Sequence, residues 1–176
     1  SDLIALPSPY PPGTSVEICA YAARRLKKAG YKVETVTRTR GVDNVVARMK
    51  AKGAKARKGG PVIAFNAHVD TVGVGERANW KSDPYKALVK GGLVHGLGAG
   101  NCKGSMAVQI WLAEEIARRG GPARGELIFT FVADEENLGP DGMAFLRKTG
   151  RVRPDALILG AQTENNLIVA ERGVMW

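Results

Sequence analysis

Cysteine is nearly missing from this chain: Cys19 and Cys102 are the only two in 176 residues. Two thiols cannot build a disulfide framework, so a reducing, cytoplasmic setting is expected. Long apolar runs are missing too. None reaches the roughly 20 residues that a bilayer-crossing helix needs, and the N-terminus lacks the charged, apolar and small-residue regions of a signal peptide. No membrane partner is therefore expected. Aromatic residues make up only 6%, and none interleaves with the basic runs at 24–28, 50–58 and 147–153. Without such a stacking platform, the formal net charge of +9 points away from nucleic acid. An acidic small substrate or an acidic partner subunit is at least as good an explanation. The glycine- and lysine-rich stretch 50–60 reads as a solvated hairpin loop.

What is present suits one soluble globular domain with a sizeable core: 44% hydrophobic residues, 24% charged residues and 22 glycines. Thr14 and Glu17 have capping-box spacing. Val16, Cys19, Ala20, Ala23 and Leu26 then form a helical stripe that Gly30 closes. Residues 33–37 and 44–49 read as strands turning at Gly41, and 61–67 as a strand buried on both faces. Residues 91–104 read as mostly loop. A helix follows with Met106, Ala107, Ile110, Ala113, Ile116 and Ala117 on its apolar side, and Trp111 is expected in the core. Trp80, Pro84 and Tyr85 are expected to pack a surface loop, the alternative being a substrate entrance. Strands at 126–133, 156–159 and 167–170 and a short helix at 144–148 complete the set. This alternation predicts an α/β fold: a three-layer sandwich with a mixed, mostly parallel sheet and helices on both faces. Ligand sites in such sheets gather at the carboxyl ends of strands.

Three segments fall there. His68 and Asp70 end the 61–67 strand two residues apart, so their side chains leave it together. A carboxylate beside an imidazole fixes its tautomer and supports a metal-binding histidine; the competing view is a surface turn after a buried strand. The glycines at 96, 98, 100 and 104 make a tight turn that aims Asn101 inward, or a plain structural turn. The phosphate-loop pattern is not met there. Asp134, Glu135 and Glu136 follow a buried strand directly. Adjacent carboxylates repel, so their crowding suits a cation ligand beside a group that takes a proton from water. The lesser alternative is a charge cluster favouring the next helix.

In this order and spacing, the segments resemble the M20 family of metallopeptidases and amidohydrolases. That family includes acetylornithine deacetylase, succinyl-diaminopimelate desuccinylase, aminoacylases and carboxypeptidase G. His68, Asp70 and Thr71 match its His-x-Asp-Thr, and residues 96–104 its Gly-Arg-Gly-Ala-x-Asp-x-Lys-Gly. Glu135 and Glu136 match its paired glutamates, and 160–163 its Gly-Glu-Pro-Thr. The resemblance implies metal-dependent hydrolysis of an amide or peptide bond in a small acylated amino acid or peptide-like substrate. It implies one or two divalent ions, zinc first and manganese or cobalt as alternatives. His68 and Glu136 would be metal ligands, Asp70 the orienting partner of His68, and Glu135 the general base.

The chain departs from that pattern where the metal ligands sit. Asn101 stands in place of the bridging aspartate, Ala161 in place of a glutamate ligand, Gln162 in place of proline and Leu97 in place of arginine. A neutral amide bridges two cations poorly. Glu164 is a candidate substitute whose odd offset points it the other way. Cys102 as a nucleophile would need His95 as its base, and Lys103 reads more simply as a helix-start residue than as a substrate anchor. The resemblance further implies a lid or dimerisation domain near Trp176 and then a catalytic segment with a last histidine ligand. Residues 1–176 are accordingly expected to be the N-terminal portion of an M20-type catalytic domain, lacking both parts. Metal should bind weakly in this chain alone, with a partner segment or subunit completing the site. A catalytically inactive scaffold for binding or assembly is the alternative.

Overall fold

A computed structural model of the chain describes residues 1–52, 57–161, 163 and 166–169. Its helices are α1 (Val16–Lys28), α2 (Lys103–Arg118) and α3 (Met143–Lys148). Its strands are β1 (Lys32–Thr37), β2 (Asp43–Lys50), β3 (Arg57–His68), β4 (Leu88–Lys90), β5 (Leu93–His95), β6 (Arg124–Val132) and β7 (Ala156–Leu159). Five strands form one sheet in the order β1-β2-β6-β3-β7. The pairs β1/β2 and β2/β6 are antiparallel, while β3/β6 and β3/β7 are parallel. Only β2 therefore runs against the other four, and the mixed, mostly parallel sheet expected from the sequence is what forms.

The two faces are covered separately. Ile18, Ala22 and Leu26 of α1 and Met106, Ile110 and Ala113 of α2 pack with Val45, Ala47, Phe129 and Phe131 on one face. Leu146 of α3 and Val152 pack with Val46, Ala64, Ile128 and Val132 on the other. Consecutive strand residues alternate between the two clusters, as a two-residue period requires. Phe129 lies at the middle of the larger cluster, stacked on Phe65 at 4.9 Å between ring centroids and edge-on to Tyr31 at 5.6 Å. Burying such a side chain contributes about 1.5–3 kcal/mol.

Several expectations are corrected. The 50–60 stretch does not close a hairpin, because β6 sits between β2 and β3; residues 53–56 lie outside the described ones. The 91–104 stretch is mostly loop as expected, apart from β5 at 93–95, which pairs with β4 just before the stretch, and the start of α2 at Lys103. Trp111 is not core but 63% exposed, because it lies about 100° around α2 from Ile110, off the Met106, Ile110 and Ala113 stripe. The capping box does not form. Ser15, not Thr14, is the N-cap; its hydroxyl bonds the backbone of Asp43, while Thr14 Oγ1 accepts from Val16 N at 3.2 Å. Residues 167–169 join no strand, and Ala170 lies outside the described residues. Trp80 does pack its own loop, donating Nε1–H to Val74 O at 2.8 Å.

Candidate metal centre

Strands β3 and β6 are parallel neighbours with His68 opposite Val132, so the residues that follow each strand emerge side by side. His68 is buried. Its Nδ1 lies 3.0 Å from the backbone oxygen of Asp70 and 3.4 Å from that residue's carboxylate. The carbonyl can only accept, so Nδ1 carries the proton, and in the neutral ring the Nε2 lone pair is free for a cation. Nε2 faces Asn101 Oδ1 at 3.2 Å and Glu135 Oε2 at 3.7 Å. Asn101 Nδ2 in turn donates to Glu136 Oε1 at 3.3 Å. One ligand atom from each of His68, Glu135 and Glu136 lies within 4.8 Å of the others.

The electrostatics agree with the geometry. Burial opposes charge on His68, but Asp70, Glu135 and Asn101 outweigh it and push the ring up to about 9. Burial likewise pushes the Glu136 carboxyl up, against the pull of His68 and with help from Glu135 and Asp70. The surroundings that hold a proton on Nε2 are those that attract a cation. Asp70 is fully buried; its Oδ2 accepts the Glu136 N–H at 3.0 Å, and its Oδ1 has no hydrogen-bond partner. It therefore ties the two strand ends together as well as backing His68.

The remaining acid has a structural task that the sequence did not reveal. Asp134 is buried and accepts the Asp141 N–H at 2.9 Å, while its backbone oxygen accepts Gly139 N–H at 3.0 Å. It thus closes the loop that carries Glu135 and Glu136. A Cβ on Gly139 would collide with the Asp134 carboxylate, which the Asp141 N–H holds in place. The only hint in the sequence is the glycine five residues after the aspartate. Lys103 begins α2 as expected, yet it is buried, with Nζ donating to Leu6 O at 2.8 Å. Burial pulls its ammonium down. The turn before it needs Gly98, which has φ +77° and would set a Cβ 2.9 Å from the Thr71 methyl.

Other candidates stay out. His95 is exposed on β5, and burial pushes the Cys102 thiol up to about 12, which leaves it inert as a nucleophile. Ala161 is exposed and offers no ligand; Gln162 and Glu164 lie outside the described residues.

Residues 64–171 match the sequence profile of peptidase family M20/M25/M40. The chain belongs to this family. M20 relatives include the succinyl-diaminopimelate desuccinylase of Bordetella petrii, 32% identical over 170 residues, which span 95% of this chain and 42% of that protein. The Xanthobacter autotrophicus desuccinylase is 36% identical over 145 residues, 81% of this chain and 36% of its own length. The chain thus spans less than half the length of these curated M20 relatives. Among solved structures, the M20 family metallo-carboxypeptidase Sso-CP2 of Sulfolobus solfataricus superposes with a TM-score of 0.73 at 19% identity, over 90% of this chain and 35% of that one. The YXEP protein of Bacillus subtilis, described as a dinuclear metal binding peptidase of the M20 family, gives 0.64 at 23%, over 90% and 40%. Both share the fold. Among the described residues no helix is long and apolar enough to cross a membrane.

Proposed function

We propose that this chain carries the metal-binding half of an M20 hydrolase that cleaves an amide or peptide bond in a small acylated amino acid or peptide-like substrate. The supporting observation is the convergence of His68, Asn101, Glu135 and Glu136 at adjoining strand ends, with Asp70 buried behind them. A nitrogen donor with carboxylate and carbonyl oxygens suits zinc first, and manganese or cobalt next. Bound there by His68, Asn101 and Glu136, such an ion would acidify a water and polarise the scissile carbonyl. Asp70 holds the His68 ring in the tautomer that presents Nε2. Glu135, with its side chain 53% exposed, takes the proton of the attacking water and returns it to the leaving amine. Residues 1–176 would be the N-terminal portion of the catalytic domain, its site completed by a further segment or subunit. Two free cysteines support a cytoplasmic location.

The test is turnover of a panel of N-acyl amino acids and dipeptides by chelator-treated protein, with and without added Zn²⁺, Mn²⁺ or Co²⁺. Glu135→Gln should lower turnover by about 10²–10⁴-fold while leaving bound metal unchanged. Unchanged turnover would remove Glu135 as the base. Asn101 and Ala161 favour a second reading, an inactive binding scaffold, and metal uptake without turnover of any panel member even with the completing segment supplied would select it.

A further inference from the structure

We propose that this centre takes one divalent cation rather than two, with His68 Nε2, Asn101 Oδ1 and Glu136 as its protein donors. The inference rests on the metal-dependent assignment above and concerns the number of ions.

Asn101 decides the matter. An amide oxygen has two lone pairs and no net charge. One pair of Oδ1 is already used by the Cys102 N–H, which donates to it at 2.9 Å. A single pair remains, directed to the space that His68 Nε2 faces at 3.2 Å. The other terminus of the side chain, Nδ2, is a donor group committed to Glu136 at 3.3 Å and cannot bind a cation. Asn101 can therefore ligate one ion and cannot join two.

Charge gives the same count. Ions in a two-metal site lie about 3.5–4 Å apart, and two dications at that spacing repel strongly unless a shared carboxylate lies between them. Among the described residues, the acids around this centre are Glu135, Glu136 and Asp70, and Asp70 is turned to His68 and to the backbone of Glu136. Glu135 and Glu136 together balance one dication. The separations also suit one ion. Tetrahedral bonds of about 2.0–2.1 Å set neighbouring donor atoms roughly 3.3 Å apart, close to the 3.2 Å between His68 Nε2 and Asn101 Oδ1. Glu135 Oε2 at 3.7 Å from His68 is left beside the ion, free to handle a proton. The dinuclear Bacillus subtilis neighbour thus shares the fold and differs in ion number.

The experiment is equilibrium dialysis of the chelator-treated 176-residue chain against Zn²⁺ and Co²⁺, read by elemental mass spectrometry and by the Co²⁺ absorption spectrum. Circular dichroism confirms that each variant is folded. One equivalent is expected, with affinity falling at least about tenfold in His68→Ala and in Glu136→Gln. The second variant is nearly isosteric and guards against a folding defect in the first. Two equivalents would overturn the single-ion centre and leave the metal-dependent hydrolase standing. No uptake by the folded chain would overturn the single-ion centre on these three donors, whereas the hydrolase assignment is overturned by absence of turnover once the completing segment is supplied. One equivalent retained by both variants would place the ion elsewhere and overturn the donor set.

Discussion

The helix-covered core and the carboxyl end of β3 and β6 are both buried, yet they bury opposite kinds of group. In the core, apolar side chains fill the space, and the polar Tyr31 meets its need with one bond, OH to Ala113 O at 3.0 Å. At the strand ends the buried groups are His68, Asp70, Lys103, Asp134 and Asp141, and Asp70 Oδ1 and Thr71 Oγ1 have no partner. Burying charge costs free energy that the core must offset. Stability is thus concentrated around Phe129, and chemical potential around His68.

Mutations can break or sharpen this division. Phe129→Ala should be the most damaging, about 3–5 kcal/mol by denaturant unfolding. It removes the ring that joins Phe65, Tyr31 and both helices of one face. Gly139→Ala should cost about 1–3 kcal/mol, since the added methyl collides with Asp134. Tyr31→Phe should cost about 1 kcal/mol and carries a pH signature. Burial pushes the Tyr31 phenol up to about 12 from 10.0. Because the folded value is the higher one, its contribution is complete below pH 10 and is lost as the pH climbs through 12; the Tyr31→Phe chain should not show that part of the decline. Glu135→Gln should change stability by no more than about 0.5 kcal/mol despite the large loss of turnover proposed for it. A loss above about 1 kcal/mol there would mean that the exposed carboxylate supports the fold, and the division would fail.

Much of this was legible in the sequence because it is periodic or local. Two-residue alternation located β2, β3 and β6, and a helical stripe located α1 and α2. His68 and Asp70 were recognisable because a strand sends i and i+2 to one side. What escaped depends on partners distant in sequence. The pairing of β6 with both β2 and β3 cannot be read from any one segment, and the 50–60 stretch by its local composition resembles a hairpin loop. The outward position of Trp111 is hidden because one step along a helix decides between core and solvent, and hydrophobicity alone does not. Lys103 is buried because a carbonyl at Leu6 receives it, and Asp134 is structural because Asp141 donates back to it. Neither contact leaves a trace in local composition.

The late insertion of β6 into the middle of the sheet also orders events during synthesis. β2 and β3 share no hydrogen bond and have only β6 as a common neighbour, so a nascent chain that has delivered residues up to His68 holds an unpaired, apolar strand. Pairing across so long a separation is slow and leaves such edges exposed to aggregation. The imidazole waits without its glutamates until the segment after Val132 leaves the ribosome. The centre is therefore among the last features of this region to exist, and a nascent chain arrested before that point holds His68 with none of its acidic neighbours from the later strand end.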